Sequence, residues 1–299
     1  MQLTISYSVA LNDVKDLLLG DGSLASLAGR GTGTVATEKS WDTLSESPGT
    51  RAMGEAAESP SPPASVPYVV LLARRVLLLS SRSFMNLYLS SYRLGGRGAE
   101  LAAMVGGRKH IALVRNAVDA WDDADRHRLG RERESDALAD LGISSVPLDL
   151  RDYFDAPDAL REDLRAFDGL WVTGGNTFVL RRAMGLSGLD AILRERVADA
   201  SFTYGGYSAG ACVLAPTLRG IHVADEPEVL PPGYCGEVPW EGVGILPFCI
   251  VPHYRSDHPE SPSMEGVVEY MMAHQLPFIA LRDGDVYVRR SAQPLTSGA

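Results

Sequence analysis

Between about residue 75 and residue 290, short apolar runs alternate with longer polar stretches whose apolar residues fall at helical spacing. Ile111-Ala112-Leu113-Val114, Val146 to Leu150, Leu170-Trp171-Val172-Thr173 and Phe202-Thr203-Tyr204 have the length and character of buried strands. Between them, Trp121 to Leu141 (with Leu129, Leu138 and Leu141), the set Leu160, Leu164 and Phe167, then Phe178 to Met184 and Leu189 to Val197 read as helices. Strictly alternating strands and helices leave one economical solution, an α/β fold with a mostly parallel sheet, helices on both faces and right-handed crossovers. Functional loops of such sheets gather at the carboxyl ends of the strands. The opening strand is expected at Val76-Leu77-Leu78-Leu79, ending in Ser80-Ser81.

The chain before that point has a different composition. Gly20 to Ser65 is rich in Gly, Ser, Thr, Ala and Pro and poor in large apolar residues, so it cannot offset its ordering entropy by burial. Residues 1–73 are therefore expected to be a disordered or poorly ordered extension, and 74–299 a catalytic domain.

Charge and cysteine usage exclude several classes. The formal net charge is −10, which repels a phosphate backbone, and the pairs Arg181-Arg182 and Arg289-Arg290 are too short to reverse this. Nucleic acid is not an expected partner. The apolar stretch Val66 to Leu79 is broken by Arg74-Arg75 and is too short for a membrane span. Met1 to Leu11 carries no basic export signal. The three cysteines, Cys212, Cys235 and Cys249, lack disulfide-framework or zinc spacing, as expected of a cytoplasmic protein. A homodimer is left open.

Two glycine-rich turns follow expected strands. Gly206-Tyr207-Ser208-Ala209-Gly210 stands between the strand ending at Tyr204 and the helix-forming run Ala211 to Ala215. Gly-x-Ser-x-Gly in that setting is the pattern of a nucleophile elbow, in which a strained turn lifts the serine oxygen above the sheet. The second turn, Gly174-Gly175-Asn176-Thr177, follows Thr173. Gly175 and Ala209 are the candidate oxyanion N–H donors. Asn176 and Tyr207 are candidate substrate contacts, although Asn176 equally suits a helix cap.

Of six histidines, His253 has the position of a general base, because Val251-Pro252-His253-Tyr254 follows the apolar run Ile245 to Val251 at a strand's carboxyl end. His258 competes with it. His253, Asp257 and His258 together lack the spacing of a metal site, so no metal and no cofactor is expected. The carboxylate orienting the imidazole is Asp225 or Asp283, and spacing does not choose between them.

These segments together resemble the peptidase E family, serine dipeptidases on a class I glutamine amidotransferase-like (flavodoxin-like) fold. Val76 to Ser81 looks like its opening strand, Gly174-Gly175-Asn176-Thr177-Phe178 like its oxyanion turn, Tyr207-Ser208-Ala209-Gly210 with Ala215-Pro216-Thr217 like its nucleophile segment, and Pro247-Phe248 to Pro252-His253-Tyr254 like its histidine segment. The resemblance implies Ser208 as nucleophile, His253 as base and a small peptide as substrate. It favours Asp225 as the acid, with Asp283 at the place of a second family acid, a glutamate. It also implies an arginine in the helix after the histidine segment, to hold an N-terminal aspartate. Residues 262–268 contain none and offer Glu265, with Arg255 nearby as a substrate-binding candidate. Strict aspartyl specificity is therefore not expected. Rival readings are a cyanophycinase-like or other amide or ester hydrolase, and a non-catalytic binding protein on the same fold.

Overall fold

The computed structural model describes residues 84–291. The expected strand at Val76 to Leu79 and the expected N-terminal extension fall outside these residues. The first described strand, β1, is Asn86–Ser90, and it too ends in a Ser-Ser pair, Ser90-Ser91. The other strands of the main sheet are β2 (His110–Val114), β3 (Ser144–Pro147), β4 (Gly169–Val172), β5 (Thr203–Tyr207) and β8 (Val286–Arg289). A separate parallel pair is made by β6 (Cys249–Val251) and β7 (Phe278–Ala280).

The six-stranded sheet has the order β3-β2-β4-β5-β1-β8. All its pairings are parallel except β1 with β8. The period-two geometry of strands sorts their side chains onto two faces. Leu87 and Leu89, Ala112 and Val114, and Leu170 and Val172 share one buried cluster with Val179 and Leu180 of α4 (Thr177–Ser187) and Ile192 of α5 (Leu189–Glu195). Tyr88, Ile111, Leu113 and Trp171 pack on the other face with Leu101 of α1 (Gly98–Met104) and Leu138 of α2 (Ala124–Ala139). Both faces being covered is why the strands read as continuous apolar runs. A third cluster joins β6, through Cys249 and Val251, to Met264, Val267 and Met271 of α7 (Ser261–Ala273).

Three of the boundaries that differ from expectation have a local reason. The β3 strand ends at Pro147 rather than Leu150 because Asp149 accepts a hydrogen bond from Arg151 N–H (3.0 Å) and starts a 3-10 turn over Leu150–Tyr153. Leu150 is thus buried from a turn. The β5 strand continues through Gly205 and Gly206 to Tyr207, held between β1 and β4. The helix after Ser208, α6, is a single turn, Ala209–Cys212. Among the described residues no helix is long and apolar enough to cross a membrane.

Candidate active site

Ser208 follows the last residue of β5 with φ 48° and ψ −118°, a left-handed φ that a side chain rarely adopts. The turn is held on several sides. Ser208 N–H donates to the Ser90 carbonyl of β1 (3.3 Å), and the Tyr204 hydroxyl donates to the Gly210 carbonyl (2.7 Å). Position 210 has no room for a side chain, since a Cβ there would lie 2.2 Å from the Val172 carbonyl oxygen of β4. The residue types of the elbow follow from this crowding.

The Tyr207 side chain joins a buried network. Its hydroxyl donates to Glu134 Oε1 (3.0 Å), and Trp171 Nε1 donates to Glu134 Oε2 (3.1 Å). Arg133 supplies the counter-charge to Glu134 at 3.0 Å. Burial beside that carboxylate pushes the Tyr207 hydroxyl pKa well up, so the tyrosine stays a neutral donor. Glu134 carries no motif. Its only sequence signal is an acidic residue at a helical position expected to face the sheet.

His253 follows β6 after Pro252 and also has a left-handed φ, 54°. Its side chain is buried, and Nδ1 lies 2.7 Å from Asp283 Oδ1. Asp283 stands between β7 and β8. Ser91, at the end of β1, joins the pair: its hydroxyl accepts from His253 N–H (2.7 Å) and donates to Asp283 Oδ1 (2.8 Å). Ser256 holds the other side by accepting from Asp283 N–H (2.8 Å). Burial lowers the His253 pKa below its ordinary value, with Asp283 opposing and His258 reinforcing the shift. The imidazole is therefore neutral near pH 7. With Nδ1–H donated to the carboxylate, Nε2 keeps its lone pair.

The carboxylate on His253 is thus Asp283, and the preference for Asp225 is corrected. Asp225 instead accepts from Thr177 N–H (2.8 Å), the first residue of α4. Helix-start N–H groups lack intrahelical partners, and this carboxylate supplies one. Burial raises the Asp225 pKa to about 6. Asn176 is the cap of the same helix, its Oδ1 accepting from Phe178 N–H and Val179 N–H (2.9 and 3.0 Å) and its Nδ2 donating to Glu226 O (2.9 Å). Its side chain is committed to the helix rather than to a substrate. Arg255 lies over the Tyr254 ring and pairs with Glu265 (3.2 Å).

A cleft of about 470 Å³ opens over these strand ends. Ser208, His253, Gly174, Gly175 and Tyr207 line it, together with His258 and Glu260 from the loop before α7, whereas Asn176, Asp225 and Arg255 do not. Gly175 has φ +143°, and a Cβ there would meet the Ala117 carbonyl oxygen at 2.5 Å, so the residue must be glycine. Ala209 is the first residue of α6. The His258 ring lies flat on His253, centroids 3.7 Å apart and planes 9° apart, with Tyr92 edge-on to both. Donor atoms of His253, His258 and Glu260 lie within 4.8 Å of one another. Stacked rings aim their in-plane lone pairs in parallel rather than at one point, which suits a stack better than a ligand set. Of the cysteines, Cys212 and Cys249 are buried, Cys235 is exposed, and all are free.

Ser91 went unread because the same signal occurs twice. Two apolar runs end in Ser-Ser, at Ser80-Ser81 and at Ser90-Ser91, and the sequence alone does not tell them apart.

Comparison with known proteins gives the chain's relatives. The chain is 35% identical over 153 residues to a peptidase E of Streptomyces coelicolor, covering 50% of this chain and 57% of that protein. It is 35% identical over 182 residues to a probable alpha-aspartyl dipeptidase of Drosophila melanogaster, covering 59% and 61%. The chain thus spans little more than half the length of these relatives. A solved structure from Listeria monocytogenes EGD-e, described as a "Putative Peptidase E Protein", superposes with a TM-score of 0.53 at 22% identity over 70% of this chain and 99% of that one. At that identity the likeness speaks for the fold alone. The model of peptidase family S51 matches residues 100–293, a span that takes in Ser208, His253 and Asp283. By that match this chain belongs to peptidase family S51.

Proposed function

We propose that the chain is a serine peptidase acting on short peptides, with Ser208 as nucleophile, His253 as general base and Asp283 as the carboxylate that holds the imidazole. The observation that carries this reading is one cleft lined by a serine on a strained strand-to-helix turn and by a neutral histidine whose Nδ1 is bound to a half-buried carboxylate. In this mechanism His253 Nε2 takes the Ser208 proton as Oγ attacks the peptide carbonyl. The Gly175 and Ala209 N–H groups receive the oxyanion. His253 then returns the proton to the leaving amine, and water repeats the sequence on the acyl-enzyme. Asp225 and Asn176 act at one remove, by fixing the start of α4 and hence the Gly174-Gly175 turn. Peptide substrates also accord with the names of the relatives. A cytoplasmic setting accords with three unpaired cysteines.

The test is a dipeptide library screened with the wild-type chain and with Ser208→Ala, alongside labelling by a serine-directed fluorophosphonate. Hydrolysis and labelling should both vanish in Ser208→Ala, at unchanged melting temperature. Peptide turnover by Ser208→Ala at the wild-type rate would overturn the assignment.

A further inference from the structure

The cleft in front of Ser208 carries a charge opposite to that of the chain. Against a formal net charge of −10, its lining includes Arg115, Arg126 and Arg133, and Glu260 is the one lining carboxylate. The three arginines are not equivalent. Arg133 is paired with Glu134 at 3.0 Å, and Arg126 lies over the Trp121 ring, 4.4 Å from its centroid. Arg115 has neither kind of partner.

Arg115 directly follows β2, at the carboxyl edge of the sheet where Ser208 and Gly175 also stand. Its NH1 donates to the His127 carbonyl (2.5 Å), its Nε is buried without a hydrogen-bond acceptor, and among the described residues no carboxylate comes within ion-pair distance of it. Burial disfavours the charged guanidinium; Tyr207 and Glu134 oppose that shift, and Arg133 and Arg131 add to it. A half-buried cation without an ion pair is costly to keep unless an anion arrives beside it. The fold nevertheless makes room for it. Gly130 sits in the middle of α2, where glycine weakens a helix, and a Cβ there would lie 2.2 Å from Arg115 NH2. A guanidinium presents a planar fork that matches a carboxylate with two parallel hydrogen bonds.

Building on the peptidase reading, we propose that Arg115 is a specificity-determining residue that anchors a carboxylate of the substrate in the cleft, with Gly130 providing the space its guanidinium occupies. A short peptide can supply that carboxylate from its C-terminus or from an acidic side chain.

The experiment measures binding by calorimetry to the full chain carrying Ser208→Ala, so that binding is read without turnover. Two pairs of ligands separate the sources: Ala-Leu against Ala-Leu amide for the terminal carboxylate, and Asp-Leu amide against Asn-Leu amide for the side chain. With Arg115 present, the carboxylate member of at least one pair should bind at least tenfold tighter than its neutral partner, and the pair that discriminates names the source. In Arg115→Gln that discrimination should vanish while the neutral ligands bind as before. Should Arg115→Gln fail to fold through loss of the His127 contact, Gly130→Ala replaces it; by crowding NH2 without removing the charge it should cut the same discrimination severalfold. Absence of discrimination in both pairs with Arg115 present, or discrimination that survives in Arg115→Gln and in Gly130→Ala, overturns the proposal. Failure of the peptidase reading is recognised separately, as absence of hydrolysis by the chain with Ser208 intact while the binding preference holds.

Discussion

The two carboxylates that spacing left unresolved differ in what they touch, and the difference is measurable. Asp283 receives the His253 Nδ1–H and the Ser91 hydroxyl, whereas Asp225 receives a helix N–H. Asp283→Asn should lower kcat by roughly 10³–10⁴-fold, the usual loss when the imidazole tautomer is no longer held. Asp225→Asn should stay within about tenfold, an Asn oxygen still being able to accept from Thr177 N–H. Equal losses in the two variants would refute this division of roles. Ser91→Ala removes both a donor to Asp283 and the acceptor of a buried N–H, an unmade bond costing about 1–3 kcal/mol; a fall in kcat with KM little changed is expected. The pH profile follows from burial. Because the folded-state pKa of His253 lies below 6.5, the base stays deprotonated, and kcat/KM stays high, until the pH falls through that lowered value. The acid limb should have its midpoint below 6.5. His258→Gln should move it upward, by removing a group that opposes protonation of its stacked neighbour, and a midpoint that does not respond would count against that coupling.

At the scale of elements, α4 shows how a helix start can be tied to a protonation state. Its first N–H rests on Asp225, whose folded-state pKa of about 6 exceeds the ordinary 3.8. A carboxyl raised in this way favours folding most fully below its unfolded value, and that contribution fades as pH rises through about 6. Asp225→Asn should therefore gain in melting temperature relative to wild type between about pH 4 and pH 7; a constant offset across that range would contradict the assignment. Elements differ in how plainly the sequence announces them. The β2, β4 and β5 strands and helices α4 and α5 were legible because both faces of the sheet are covered, which makes each buried strand a continuous apolar run. The end of β3 was not, because a single Asp-led turn let Leu150 be buried without being in a strand. Ser208, His253 and the Gly174-Gly175 turn were legible because steric demands at strand ends restrict the residue types allowed there. Asp283 could be proposed but not chosen, and Ser91, Glu134 and Arg115 went unnoticed, since their parts depend on contacts between segments far apart in the chain.

For the molecule as a whole, the composition of the residues before Pro67 predicts that removing them leaves melting temperature and kcat nearly unchanged. A drop of many degrees on truncation would show that they contribute to the domain. The bonds of Ser91 have a consequence for how activity arises during synthesis. This hydroxyl belongs to the end of the first described strand, and its two partners come 162 and 192 residues later. Strand β1 itself pairs on one side with β5 and on the other with β8. A chain still on the ribosome can assemble the turn around Ser208 well before the carboxylate that His253 needs has been made. With the roles proposed for His253 and Asp283, the nascent chain would stay inactive until translation has passed Asp283 and the segments far apart in sequence have met. Under that reading, competence for hydrolysis would arrive late and report the integrity of the newly made chain, and a prematurely terminated product should carry Ser208 without chemistry.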